Sequence, residues 1–239
     1  MDRLTRDISY FTYCGEINTK TVLEMARRRA QECDIKKVVL ASETGRSALQ
    51  AMEVFRGVGV RILVVTHYPA TSWGPKGDIP IGLNQEIYAT TRKTLEDRGV
   101  RIIQSTRPFA PPSRSINWDA LTPEGMVDKT LELLGAGTKI AIEVCIMATD
   151  AGEINEGEEI FSCAGTFKGL DTALVVRATY SMNFFKDFEI REIIARPRCR
   201  VRKLPEYEFE NRKGNLDQYY DGIEPSGKTS KNNHQRSHQ

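Results

Sequence analysis

Hydrophobic residues follow two alternating patterns along the first two thirds of the chain. Lys37-Val38-Val39-Leu40-Ala41, Arg61-Ile62-Leu63-Val64-Val65-Thr66 and Val100-Arg101-Ile102-Ile103-Gln104 are short, nearly continuous apolar runs, as in strands covered on both faces. Between them apolar residues recur every three or four positions, the spacing of a helix face. Val22, Met25, Ala26 and Ala30 form one such stripe, and Ala48, Ala51, Met52 and Phe55 a second. Leu83, Ile87, Thr91 and Leu95 form a third, and Val127, Leu131 and Leu134 a fourth. Asn18 reads as the N-cap of the first helix. Thr122-Pro123-Glu124 opens the last, with a capping threonine and proline at the first helical position. Lys139 to Ile146 is predicted as a fourth strand, leading into Met147 to Gly152. Strand alternating with helix predicts a layered α/β fold with a mostly parallel sheet.

Beyond Gly152 the pattern changes. Glu159 to Ala164, Asp171 to Ala178 and Phe188 to Arg196 are strand-like with few helical positions between them, so the sheet should finish in antiparallel or mixed strands. Ile8 to Tyr13 fits a short strand or an ordered arm. After Pro197 aliphatic residues thin out. Residues 1–198 are therefore expected to form one α/β domain and residues 199–239 a polar, disordered tail.

Composition narrows the function classes. A 239-residue chain with 40% hydrophobic and 28% charged residues can build one good-sized core. The net charge of +2 gives no reason to expect nucleic acid as a partner. No apolar run approaches the roughly 20 residues needed to span a bilayer, and the first residues lack the apolar centre of a signal peptide. Cys14, Cys33, Cys145, Cys163 and Cys199 are odd in number, scattered, and free of any C-x-x-C pair. Such thiols suit a reducing, cytoplasmic setting, with neither a disulfide framework nor a zinc site.

Candidate chemistry gathers at the turn after the first strand, Ser42-Glu43-Thr44-Gly45-Arg46-Ser47. A helix that starts there points unpaired N–H groups and its positive dipole end at the turn. Ser42, Thr44 and Ser47 add hydroxyls, Arg46 adds charge, and Gly45 permits close approach, a combination that suits a phosphate. Serine and threonine at a helix start are also ordinary N-caps, so both readings stand. Thr66 and His67 end the second strand, where a ligand can be met. Met147 and Asp150 follow the predicted fourth strand; Asp150 could bind a ligand hydroxyl, act in acid–base chemistry or cap a turn. Glu143, on the same predicted strand, has the same options and reads as structural, and Cys145 reads as packing. Gly165 and Thr166 open a glycine loop, Gly165 to Thr172, that could form the other wall of an anion site. The arginines at 27–29 read as the outer side of an amphipathic helix. Gly222-Ile223-Glu224-Pro225-Ser226-Gly227-Lys228-Thr229 matches the P-loop pattern but lacks the preceding strand and following helix that pattern needs. His234 and His238 share helical spacing in the tail, and no metal site is assigned to them. No catalytic constellation emerges.

The run VVLASETGRSALQ, from Val38, resembles a strand, turn and helix of the pyruvate kinase C-terminal α/β domain, and EEIFSCAGTFKGLDTALVV its closing strand, glycine loop and strand. IEVCIMATDAG and MNFFKDFEIREIIARPR extend the likeness, over about residues 15–198, to stand-alone pyruvate kinase alpha/beta domain-like proteins. The resemblance implies a three-layer α/β/α sandwich with a mixed five-stranded sheet of order 3-2-1-4-5, the fifth strand antiparallel. In allosteric pyruvate kinases this turn holds a phosphate of a sugar bisphosphate; in the stand-alone family it implies FMN, with the phosphate at Ser42, Thr44, Gly45, Arg46 and Ser47. Glu43 places a negative charge within that turn and counts against the carry-over. The loops His67 to Trp73 and Met182 to Phe185 could cover the flavin ring. The chain is too short to hold the kinase's catalytic barrel beside this domain, so kinase activity is not expected. The expectation is a binder of a small phosphorylated ligand, FMN first, with homo-oligomerisation left open. A flavin-dependent oxidoreductase and a sugar-phosphate-sensing or oligomerisation module are the alternatives.

Overall fold

A computed structural model describes residues 3–72, 79–110, 112–116, 122–166 and 168–198. The tail, its P-loop match, its histidines, Cys199 and the Trp73 loop lie outside these residues. The first strand, β1, is Ser9–Phe11, and helix α1 is Thr19–Cys33. Then follow β2 (Lys37–Ala41), α2 (Arg46–Val54) and β3 (Arg61–Thr66). A small hairpin, β4 (Ala70–Ser72) with β5 (Ile79–Ile81), precedes α3 (Ala89–Glu96) and β6 (Arg101–Gln104). Helices α4 (Pro123–Leu131) and α5 (Ala136–Asp150) come next. The described chain closes with β7 (Glu159–Ala164), β8 (Thr172–Arg177), the short α6 (Phe184–Asp187) and β9 (Glu189–Pro197).

The seven main strands form one sheet in the order β1-β9-β8-β7-β2-β3-β6. β6, β3, β2 and β7 run parallel; β8 is antiparallel to β7 and to β9, and β1 pairs parallel with β9. Numbered from β2, the five strands from β6 to β8 have the expected order 3-2-1-4-5 with the fifth antiparallel. The sheet has seven strands where five were expected, because β9 and the N-terminal β1 extend it.

The largest departure from expectation is Lys139 to Ile146, which is helix and not strand. It lies inside α5, twelve of whose residues are buried. A helix buried nearly all round loses its polar stripe, so its centre reads as an apolar run that periodicity cannot tell from a strand. The fourth strand of the sheet is β7, and Met147 and Asp150 sit at a helix end, not beyond a strand. Helix α3 is shorter than its apolar stripe, since Leu83 lies ahead of the helix and residues Glu86–Tyr88 form a single 3-10 turn.

Alternating side chains put the strands' apolar residues into two cores. Val38, Leu40 and Val64 pack with Leu23 of α1, Ala48 and Ala51 of α2 and Leu95 of α3. Val39, Leu63 and Val65 face the other way, onto Ile142 and Ile146 of α5, with Val127 and Leu131 of α4 beside them. Helices thus cover both faces of the sheet. β2 lies between β3 and β7, and the gap beyond the carboxyl ends of β2 and β7 is where the chain's direction of winding reverses, the usual place for a ligand in an open sheet.

Candidate functional site

A cavity of about 620 Å³ opens there, within the size range of small-molecule sites. The turn after β2 forms its first wall. Ser42 N–H donates to the Val65 carbonyl at 3.0 Å, which ties the turn to β3. Gly45, at φ +83°, is the N-cap of α2, and no side chain caps that helix. A Cβ on Gly45 would stand 2.4 Å from Thr91 Cγ2, so the turn can pack on α3 only with glycine here. Thr44, Arg46 and Ser47 line the cavity, whereas Ser42 and Gly45 hold the turn in place without reaching the lining. Arg46 Nη1 lies 3.8 Å from Glu16 Oε2.

Thr66 and His67, at the end of β3, form the second wall. Glu43 bends towards them. Its Oε2 accepts from His67 N–H at 2.9 Å and from Thr66 Oγ1 at 3.2 Å, while Thr66 Oγ1 accepts from Leu83 N–H at 2.8 Å. Burial pushes the Glu43 carboxyl above its ordinary pKa, against the opposing pull of the His67 N–H bond.

The loop from Gly165 to Gly169 is the third wall, with Gly165, Thr166, Lys168 and Gly169 on the lining. Its shape is fixed by the fully buried Asp171, whose Oδ2 accepts from Gly15 N–H at 2.8 Å and Thr166 N–H at 3.0 Å. The Thr166 amide is therefore taken. A Cβ on Gly165 would lie 2.1 Å from the Gly169 carbonyl oxygen, and one on Gly169 would lie 2.4 Å from Thr19 Oγ1. Gly165 thus serves close packing within the loop, and Gly169 close packing of the loop on Glu16 and Thr19.

The fourth wall is α5, through Ile140, Glu143, Val144 and Met147. Sequence reasoning missed Glu143 as a cavity group. Its signal was a lone charged residue inside the run Ile140 to Met147. Glu143 is fully buried. Its Oε2 accepts from Arg107 Nε at 2.8 Å, and its Oε1 has no hydrogen-bond partner. Arg107, also on the lining, reaches Asp128 Oδ1 through Nη2 at 3.1 Å, and Lys139 Nζ approaches the same oxygen at 3.2 Å. Burial pushes the Glu143 carboxyl up, more than the Arg107 and Lys139 charges bring it down.

Other candidates lie elsewhere. Asp150 Oδ1 accepts from Ser181 N–H at 2.9 Å, away from the lining. Met182 and Phe185 are strongly exposed beside that contact and do not line the cavity. Cys145 is buried with its thiol pushed up to about 12, an inert state. Among the described residues no group of three or more His, Cys, Asp or Glu could hold a metal ion, and no helix is long and apolar enough to cross a membrane.

Residues 20–176 match the family model for the pyruvate kinase alpha/beta domain. Among solved structures, the SAH-bound methyltransferase PaMTH1 of Podospora anserina is similar at 15% identity and a TM-score of 0.25. That match covers 57% of this chain and 49% of the methyltransferase, about half its length, and is too slight to bear on fold or ligand. The family match spans the turn, the end of β3, the α5 wall and the glycine loop, while Glu16, Ile17 and Thr19 of the lining precede it; the chain belongs to the pyruvate kinase alpha/beta domain family.

Proposed function

We propose that the protein binds a phosphorylated ligand in this cavity, with FMN the first candidate and the phosphate at the start of α2. One observation carries the reading: a ligand-sized cavity is walled by Thr44, Arg46 and Ser47 at a helix N-terminus that no side chain caps. Backbone N–H groups and the helix dipole favour an anion there. Three carboxyls, of Glu16, Glu43 and Glu143, line the cavity beside Arg46, Arg107 and Lys168. Val65, Ile79, Ile81, Ile140, Val144 and Met147 add apolar surface to the lining, which suits a flat, largely uncharged ring.

A fluorescence titration of the purified, ligand-stripped protein with FMN, with riboflavin run in parallel, tests the reading. Saturable quenching by FMN and much weaker binding of riboflavin are expected. Equal binding of both would remove the phosphate from the turn, and binding of neither would remove the flavin and leave a sugar phosphate to be tried.

A second reading, flavin-dependent redox chemistry, rests on His67, a titratable side chain on the cavity lining at the end of β3. Reduction of bound FMN by a nicotinamide cofactor, with transfer to an acceptor, would separate it from simple binding.

A further inference from the structure

Glu143 is fully buried, lines the cavity, and presents an Oε1 without a hydrogen-bond partner. Buried polar atoms in folded proteins are nearly always paired, because an unpaired one forfeits its hydration for nothing. An unpaired atom that faces a ligand-sized cavity has a direct use, which is to pair with the ligand. The surrounding charges indicate in which form it does so. Arg107 serves both Glu143 and Asp128, and Lys139 serves Asp128 and, at 3.5 Å, Glu132. Lys129 also reaches Glu132, at 3.8 Å, so the cation nearest Glu143 is Arg107, which it shares with Asp128. Full burial with half a counter-charge favours a proton on Glu143, and Arg107 Nε, by donating to Oε2, directs that proton to Oε1.

We propose that Glu143 is a second ligand-binding group, a neutral carboxyl whose Oε1–H donates to a carbonyl oxygen or ring nitrogen at the ring end of the phosphorylated ligand. This rests on the reading that the cavity takes such a ligand, and it adds that the ring carries a hydrogen-bond acceptor. An isoalloxazine has acceptors in its two carbonyls and its ring nitrogens. The proposal divides recognition between the two faces of the sheet, with the phosphate on the α2 side and the ring on the α5 side.

The test is FMN titration of the wild-type protein, Glu143→Gln and Glu143→Leu, from about pH 5 to about pH 9, with circular dichroism to establish folding. The glutamine amide keeps an acceptor for Arg107 and an N–H for the ligand. Glu143→Gln should bind within about threefold of wild type at neutral pH, and Glu143→Leu about tenfold more weakly, the effect of one lost hydrogen bond. Wild-type affinity should fall as pH rises through the Glu143 pKa, since the donor loses its proton, and the Glu143→Gln profile should lack that fall. Arg107, Lys139, Asp128, Glu132 and Lys129 lie in the same cluster, and Glu16, Glu43, His67, Arg46 and Lys168 share the cavity. Their titrations, and that of the ligand phosphate, are common to both proteins and cancel in the difference. Coincident pH profiles for wild type and Glu143→Gln would overturn the proposal, as would a Glu143→Gln protein that binds as weakly as Glu143→Leu. Neither result would touch the FMN reading, because the wild type would still bind. A wild type that binds no FMN overturns that reading and this inference together, and is recognised before any variant is made. If Glu143→Leu does not fold, the two pH profiles decide alone.

Discussion

Gly45 and Glu143 show how single positions divide between building the cavity and serving it. Gly45 combines φ +83° with neighbours that leave no room, since an added Cβ would lie 3.1 Å from Leu83 Cδ1 as well as against Thr91. Gly45→Ala is expected to cost about 1–3 kcal/mol through strain and overpacking, read as a lowered urea midpoint. A loss of ligand binding in that variant would report the fold, so Gly45 is a poor probe of the phosphate. Thr44 is a better one, because it lies on the lining and is half-buried. Thr44→Glu should leave the ligand-free thermal midpoint nearly unchanged and weaken FMN by about tenfold or more, through added negative charge where the phosphate is read; unchanged affinity would move the phosphate elsewhere. Glu143 should also mark the protein's pH dependence. Its pKa is raised on folding, so between the ordinary glutamate pKa and the raised one the native state holds the extra proton. Stability from this group is therefore lost as pH rises through that window. Glu143→Gln should flatten the decline, measured as the difference between the two proteins' denaturation midpoints across pH.

Elements made of contiguous residues were legible in the sequence, and contacts across long separations were not. β2, the turn and α2 follow one another directly from Lys37 to Val54, and the change from a strand run to a helical stripe was enough to find them. The Thr122 cap was equally local, and its Oγ1 accepts from Gly125 N–H at 3.0 Å. Helix α5 defeated the same reasoning because burial on nearly all sides erases the periodicity on which that reasoning depends. The misreading carried Asp150 into the candidate site and left Glu143 out, since the faces of a strand and of a helix select different residues. Nor could sequence pair Glu143 with Arg107, which stands 36 residues earlier in a proline-rich loop. The consequence for α4 and α5 is testable. Asp128 is buried and bonded to both Arg107 and Lys139. Asp128→Ala leaves both cations short of a counter-charge and is expected to destabilise the protein by roughly 3 kcal/mol, a typical cost of breaking a buried ion pair. Chemical denaturation would check this, and Asp128→Asn, which keeps a hydrogen-bond acceptor, should cost less.

At the scale of the whole molecule, the sheet is closed from both ends of the described chain. β1 lies against β9, Arg198 N–H donates to the Phe11 carbonyl at 2.9 Å, and Asp171 binds Gly15 beside the glycine loop. Every strand of the sheet and every wall of the cavity is thus drawn from residues up to Arg198. A chain that stops at Arg198 should therefore unfold at the same temperature as the full chain and bind FMN with the same affinity. The match at Gly222 to Thr229 gives this comparison a second edge. If that segment held the ligand phosphate, truncation would abolish binding while Thr44→Glu left it intact. If the turn before α2 holds it, truncation is silent and Thr44→Glu is not. Titrating both proteins with FMN beside the full-length wild type places the phosphate at one end of the chain or the other.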